Sequence, residues 1–352
     1  MTWTRRGLLA AGVTALAGCV GGEPGTRIGF VGDVMLGRSV NDHWIGRDPD
    51  GVWGSTLNRL RRLDGLVLNL ECCISERGRK WPDKVYYFRS DPDFAVPALE
   101  SANAALASLA NNHSLDFRAP ALADTRGYLD DADIAHAGAG PSREAALTPA
   151  VTDIGGLTVA VVALTDRYPE YAAGDGTAGT AYLPLDPSVP ESRQTVEATL
   201  RRARDADPDL LAVSLHWGPN WETAPSETQR RFARWLIDRG VDVVHGHSAH
   251  VLQGVEVYRG RPIVYDAGDF VDDYIDKESV QNKRSALFEL TVEDGSVDSL
   301  RIVPTEIADE TATMADEQAS AWVCEAIRER SAAFGTRVDR TDAGLSVSLG
   351  EP

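Results

Sequence analysis

Asp33, Asn69, Glu71, Asn112, His113, His216, His247 and His250 stand at, or just past, the ends of short apolar runs. They include four of the chain's seven histidines. Imidazole nitrogens combined with carboxylate and amide oxygens suit borderline divalent ions such as Zn, Mn, Fe or Co. Two such ions held roughly 3.5–4 Å apart clamp the attacking and leaving oxygens of an in-line displacement. A carboxylate such as Glu71 between them would balance their charge. A histidine that is not on metal protonates the leaving group. His113 is the candidate for that role, with Asp116 three residues on as its orienting partner. For any one of these histidines a structural role is an equally good reading; four of them beside two carboxylates point to a metal centre.

A rhythm of strands and helices must position this set. Apolar runs over 27–31, 66–70, 105–109, 210–215 and 241–244 deliver Asp33, Glu71, Asn112–His113, His216 and His247 respectively. A further run over 159–164 follows the Gly155-Gly156 hairpin signal. Helical segments are expected near 53–62, 119–131, 191–205 and 226–239. Buried strands alternating with amphipathic helices argue for a layered α/β fold. Ligands of open α/β sheets bind beyond the carboxyl ends of the strands, where these polar residues fall. Short strands over 254–258, 262–266, 286–291 and 296–304 read as an antiparallel closing layer. One domain over 26–310 is followed, in 311–352, by a helix near 316–332 and an unpatterned, flexible tail from Gly335.

Charge narrows the partners. Fifty-three acidic residues oppose thirty-five basic ones, for a formal charge of -18, and lysine occurs only at Lys80, Lys84, Lys277 and Lys283. Nucleic acid binding rests on neutralising phosphates with Lys and Arg, so such a surface excludes that class. An acidic coat poor in lysine is also the pattern of salt-adapted, halophilic proteins. At the start, Arg5-Arg6 precede the apolar run Gly7–Ala17, whose helix would reach only about 16 Å against a bilayer core of roughly 30 Å. Residues 1–25 therefore read as a signal peptide. Thr4–Leu9 resembles a twin-arginine export signal, and Leu16-Ala17-Gly18-Cys19 resembles a lipobox. Cys19 would then anchor the exported chain to the outer face of the cytoplasmic membrane, with a second attachment needed because one lipid chain holds weakly. The alternative is an ordinary secretory leader. Cys72, Cys73 and Cys324 read as packing residues, with a bridge from Cys324 to one of the pair as the other option.

The motifs occur in a telling order. Gly32-Asp33-Val34-Met35-Leu36-Gly37-Arg38, Asn69-Leu70-Glu71, Asn111-Asn112-His113-Ser114-Leu115-Asp116 and His216-Trp217-Gly218 are followed by Gly246-His247-Ser248-Ala249-His250 and Gly268-Asp269-Phe270. This series, spanning about residues 26–305, resembles the CapA family of poly-γ-glutamate capsule proteins. That family's fold belongs to the calcineurin-like metallophosphoesterases, with layers in the order α/β/β/α. The resemblance implies two divalent ions faced by Asp33, Glu71, Asn112, His216, His247 and His250, and a leaving-group role for His113. Met35 stands where phosphoesterases usually carry a histidine, Glu71 where they carry a bridging aspartate, and the last histidines are spaced GHxxH instead of GHxH. Within the family, Asp269 replaces the usual Asn and Arg118 the usual Gly. Arg38, Asn69 and Trp217 are assigned to substrate; Arg38 could instead form a structural ion pair, and Trp217, like Trp221, could instead pack. Three functions fit: a capsule component acting with other synthesis subunits on the anionic glutamate polymer, in its export or its metal-dependent processing; an extracytoplasmic phosphoesterase; or a non-catalytic partner that keeps the fold.

Overall fold

The computed structural model describes residues 25–349 apart from residue 294, so Cys19 and the leader expected before it lie outside the described residues. Two sheets form the framework. In the first, strands Thr26–Val34, Gly65–Leu70, Ala104–Ser108 and Ala135–Ala137 run parallel side by side. In the second, Leu157–Thr165, Leu210–His216, Val243–His247 and Arg261–Val264 do the same.

Both faces of these strands are buried, which is why they read as nearly continuous apolar runs. Ile28, Phe30, Val67 and Leu106 pack with Val159, Val161, Ala212 and Val243 between the sheets. The alternate residues point outward. Leu66 and Leu68 meet Phe94 and Leu99 of the helix Pro92–Ser101 and Leu122 and Leu129 of the helix Arg118–Asp131. Val162, Leu164 and Val213 meet Val196 and Leu200 of the helix Pro190–Arg204 and Phe232 and Leu236 of the helix Glu227–Ile237. The result is the α/β/β/α layering of a calcineurin-like chain.

Two expectations about the last third need correction. The late strands do not make one closing layer. Val255–Tyr258 and Arg261–Val264 extend the second sheet, whereas Arg284–Glu293 and Ser296–Ala308 pair antiparallel along the first. The stretch after Gly335 is not unpatterned either: Val338–Thr341 and Gly344–Val347 form a hairpin, and the second of these strands pairs with Ser296–Ala308. Four-residue strands carry too few alternations to be visible in sequence. The helix expected near 53–62 is divided between a 3₁₀ segment, Pro49–Thr56, and one α-helical turn, Leu57–Leu60. Cys72, Cys73 and Cys324 are free and buried, each in a different apolar cluster, so no bridge joins them.

The carboxyl ends of the central strands are crowded by backbone. A Cβ on Gly32 would lie 1.8 Å from the Gly268 carbonyl oxygen, and one on Gly246 would lie 2.0 Å from that of Tyr265. Side chains at these points would push the strand ends apart. Gly246→Ala is therefore expected to destabilise the chain by about 1–3 kcal/mol. Gly127, in the helix Arg118–Asp131 with open space around it, gives the control: Gly127→Ala should be neutral or stabilising by up to about 1 kcal/mol. Denaturant midpoints of the two variants check the contrast.

Candidate metal centre

Parallel register lines up the acidic and imidazole side chains. Asp33 pairs across its strand with Asn69 on one side and Asp269 on the other, and His216 pairs with His247 in the second sheet. Ligand atoms of Asp33, His216 and His247 lie within 4.8 Å of one another, and so do those of Asp33, Glu71 and His250. Asp33 is common to both groups. His247 Nδ1 is 3.4 Å from Asp33 Oδ1, and His250 Nδ1 is 3.2 Å from Asp33 Oδ2. The sequence reading puts Glu71 between two ions; Asp33 is the residue common to both groups, and Glu71 Oε1 also comes within 3.5 Å of His216 Nε2. Asn112 completes the set, with Oδ1 2.6 Å from His216 Nε2.

The donor set fits a divalent cation. Both carboxylate oxygens of Glu71 are buried and have no hydrogen-bond partner, a state that costs several kcal/mol unless a cation meets it. The Nδ1 atoms of His216 and His247 face each other at 2.9 Å. Burial drives the His216 pKa down to about 3, despite the pull of Asp33, so the ring is neutral and one nitrogen keeps a lone pair for a ligand. Burial, then the charge of Asp33, pushes Glu71 well above the usual carboxyl range. Its proton is the one a bound cation would displace.

Polar neighbours hold these groups in place. Asn69 Nδ2 donates to Asp33 Oδ1 at 2.7 Å, and its own oxygen accepts from Asn111 Nδ2 at 3.0 Å. Ser214 Oγ is 2.9 Å from His247 Nε2 and Asp269 Oδ1 is 2.8 Å from His250 Nδ1. Such outer contacts fix ring orientation and raise ligand basicity. Asp269, which departs from the family pattern, thus supports a histidine.

Above this floor His113 and Asp116 form a dyad, with His113 Nδ1 2.7 Å from Asp116 Oδ2. Asp116 also accepts from the Phe88 N–H at 2.7 Å and the Tyr171 hydroxyl at 3.1 Å, and pairs with Lys84. His113 Nε2 faces Glu71 Oε1 at 3.8 Å. Burial lowers the His113 pKa, against the opposing pull of Asp116. A cavity of about 230 Å³ opens over the dyad, lined among others by Met35, Lys84, Asn112, His113, Arg167 and His250.

Three residues expected at the substrate lie elsewhere or do other work. Trp217 is fully buried in the outer layer of the second sheet, stacked on Tyr265 and bonded to its carbonyl. Strand alternation explains it, since the residue after His216 must face away from the site. The Asn69 amide is spent on Asp33 and Asn111. Arg38 turns from the cavity to Asp273, 3.3 Å away, and stacks over Tyr86 and Phe88. Trp221 does reach the site, at 5.6 Å from His250 and stacked on Tyr274. Lys84, whose side chain is 7% exposed, was missed because it lies in an irregular loop without periodicity. Its rarity in so acidic a chain was the available signal.

The sequence model of the bacterial capsule synthesis protein family PGA_cap matches residues 27–274. The chain is 35% identical over 338 residues to the "probable polyglutamine synthesis accessory protein" of Mycobacterium tuberculosis, covering 90% of this chain and 87% of that one. It is 28% identical to the PGA biosynthesis protein CapA of Bacillus subtilis, over 80% of this chain and 72% of the relative. It is also 28% identical to the capsule biosynthesis protein CapA of Bacillus anthracis, over 79% and 66%.

Metal content by mass spectrometry tests the centre. The chain is expected to carry one to two divalent ions, and His247→Ala/His250→Ala to lose them. Asp33→Asn should abolish binding altogether, because Asp33 serves both groups, whereas Glu71→Gln should remove only one ion.

Proposed function

The chain belongs to the PGA_cap family of bacterial capsule synthesis proteins, and from that membership we propose that it processes poly-γ-glutamate by metal-dependent hydrolysis outside the cytoplasm. The observation that carries this reading is the bare, buried Glu71 carboxylate beneath the His113–Asp116 dyad. When bound, divalent ions at this floor supply Lewis-acid polarisation of a carbonyl oxygen and balance the buried carboxylates.

The protein's own groups supply the rest. Water adds to the amide carbonyl carbon and its proton passes to His113 Nε2, which then gives a proton to the nitrogen of the departing amine as the C–N bond breaks. Asp116 fixes the imidazole so that Nδ1 is engaged and Nε2 points toward the floor. Lys84 and the Phe88 N–H hold Asp116 in turn. Tyr86, Phe88, Tyr168 and Tyr274 wall the cavity and exclude water from the polymer's methylene groups. Met35, also in the wall, offers no nitrogen or oxygen ligand, which favours this reading over a phosphoesterase. Among the described residues no helix is long and apolar enough to cross a membrane; the lipobox-like Leu16-Ala17-Gly18-Cys19 supports attachment through Cys19.

Incubation of the Mn²⁺-loaded chain with poly-γ-glutamate, followed by size-exclusion chromatography and amine release, is the test. The polymer should shorten, and His113→Ala should lower turnover by about 10²–10⁴-fold with metal content unchanged. Hydrolysis of p-nitrophenyl phosphate without any attack on the polymer would replace this reading with the phosphoesterase one. Absence of both activities would leave a binding component. For the anchor, Cys19→Ala is expected to move the chain from the membrane fraction to the soluble fraction of an expressing bacterium.

A further inference from the structure

Arg167 lines the cavity over the candidate metal centre; the adjacent Asp166 attracts it through space, and its own Oδ1 accepts from the Gly218 N–H. Among the described residues its guanidinium makes one side-chain hydrogen bond, to the neutral Asn220 Oδ1 at 3.2 Å, and no ion pair within 4.0 Å. The cavity's other cation, Lys84, is already committed to Asp116 and to the Asn112 carbonyl. The acid in the lining, Asp83, is exposed to solvent. In a chain with eighteen more acidic than basic residues, a half-buried arginine with no acid in ion-pair reach keeps its fork open to a ligand.

Its position is tied to the metal-facing strand. Thr165 Oγ1 accepts from the Arg167 N–H at 2.9 Å and donates to the His216 carbonyl at 2.8 Å. Asp166 Oδ1 accepts from the Gly218 N–H at 3.2 Å, joining the Arg167 loop to the loop that carries Asn220. These bonds fix the Arg167 backbone beside the His216 strand, and Asn220 meets the guanidinium at the end of its stem. A planar fork held this way suits a bidentate carboxylate.

We propose that Arg167, braced by Asn220, binds a carboxylate of the substrate beside the scissile amide and so selects a γ-linked glutamate chain; this rests on the polymer-processing reading above. In such a chain the carbon attached to each amide nitrogen carries a free carboxylate, so every scissile bond presents an anion on its leaving-amine side. Arg167 takes that anion while His113 serves the nitrogen.

Calorimetric titration of the Mn²⁺-loaded chain with a γ-linked glutamate pentamer, and with its neutral α-amide counterpart, tests this without relying on turnover. The pentamer should bind, and the amide about tenfold more weakly or not at all. Arg167→Gln should lose at least about tenfold in affinity for the pentamer while keeping its metal and its affinity for the amide. Arg167→Lys should recover only part of the loss, since an ammonium lacks the fork. Equal binding of acid and amide by the parent, or an unchanged Arg167→Gln, overturns the assignment of Arg167 and leaves the hydrolase reading standing. Failure of the metal-loaded parent to bind either probe overturns the glutamate-polymer reading, and this inference with it. If Arg167→Gln unfolds, Asn220→Ala decides: unchanged pentamer affinity overturns the assignment, and a loss confined to the pentamer supports it.

Discussion

Asp33 and Glu71 are two carboxylates carried wholly out of water to the same point between two sheets. Isolated there, each would cost several kcal/mol, and they repel one another besides. Much of the local architecture answers that cost. Three histidines converge on Asp33 from the second sheet and the loop beyond it, and Asn69 and the Ser248 N–H donate to it from either side. Glu71 accepts no hydrogen bond; the nearest imidazole nitrogens, of His216 and His113, stand 3.5 and 3.8 Å from its Oε1. The asymmetry between a fully served carboxylate and a bare one is what makes the site suited to a cation: Asp33 is positioned in advance, and Glu71 is left open for the charge that completes it.

Meeting that demand costs backbone freedom. Ser248 and His250 adopt left-handed φ values of 105° and 57°, a conformation worth of order 1–3 kcal/mol of strain for a residue with a side chain. Asp266 sustains it, accepting from the Ala249 N–H at 2.7 Å and the Gly268 N–H at 2.9 Å. One buried side chain thus locks the histidine loop to the turn before Asp269. The same crowding explains why glycine stands at 32 and 246, where the strand ends run against neighbouring carbonyls. Strain, tight approach and ligand geometry are one arrangement seen from three sides.

The strand-end pattern was legible because parallel strands buried on both faces announce themselves as apolar runs, and the first polar residue after each run has to sit at the carboxyl edge. That pattern supplied the polar set, the resemblance singled out six metal-facing residues within it, and in the structure these six lie close together beside the His113–Asp116 pair. Roles within the set were harder. Asn69 and Glu71 are two residues apart and share a face, so pattern could not say that one would serve Asp33 and the other stay open. Trp217 shows a rule left unused: alternation sends the neighbour of His216 into the outer core. Lys84 and Arg167 lie in loops, where neither period applies, and only packing reveals that they share a cavity with His113.

Net charge and local charge act at different ranges, so an acidic protein can still take the anionic polymer proposed as its substrate. A formal charge of -18 spread over the surface is screened beyond about 8 Å at physiological ionic strength. Contacts inside a cavity are shorter than that and lie in a medium of lower dielectric, where a single cation counts for more than distant acids. Lys84 and Arg167 stand in the wall, with the carboxylates of Asp33 and Glu71 buried in the floor beneath. Filling that floor with divalent cations would turn the site from negative to positive without altering the coat. On this view the protein's affinity for an anion depends on whether its metal centre is filled, and the acidic surface governs solubility and approach, not recognition.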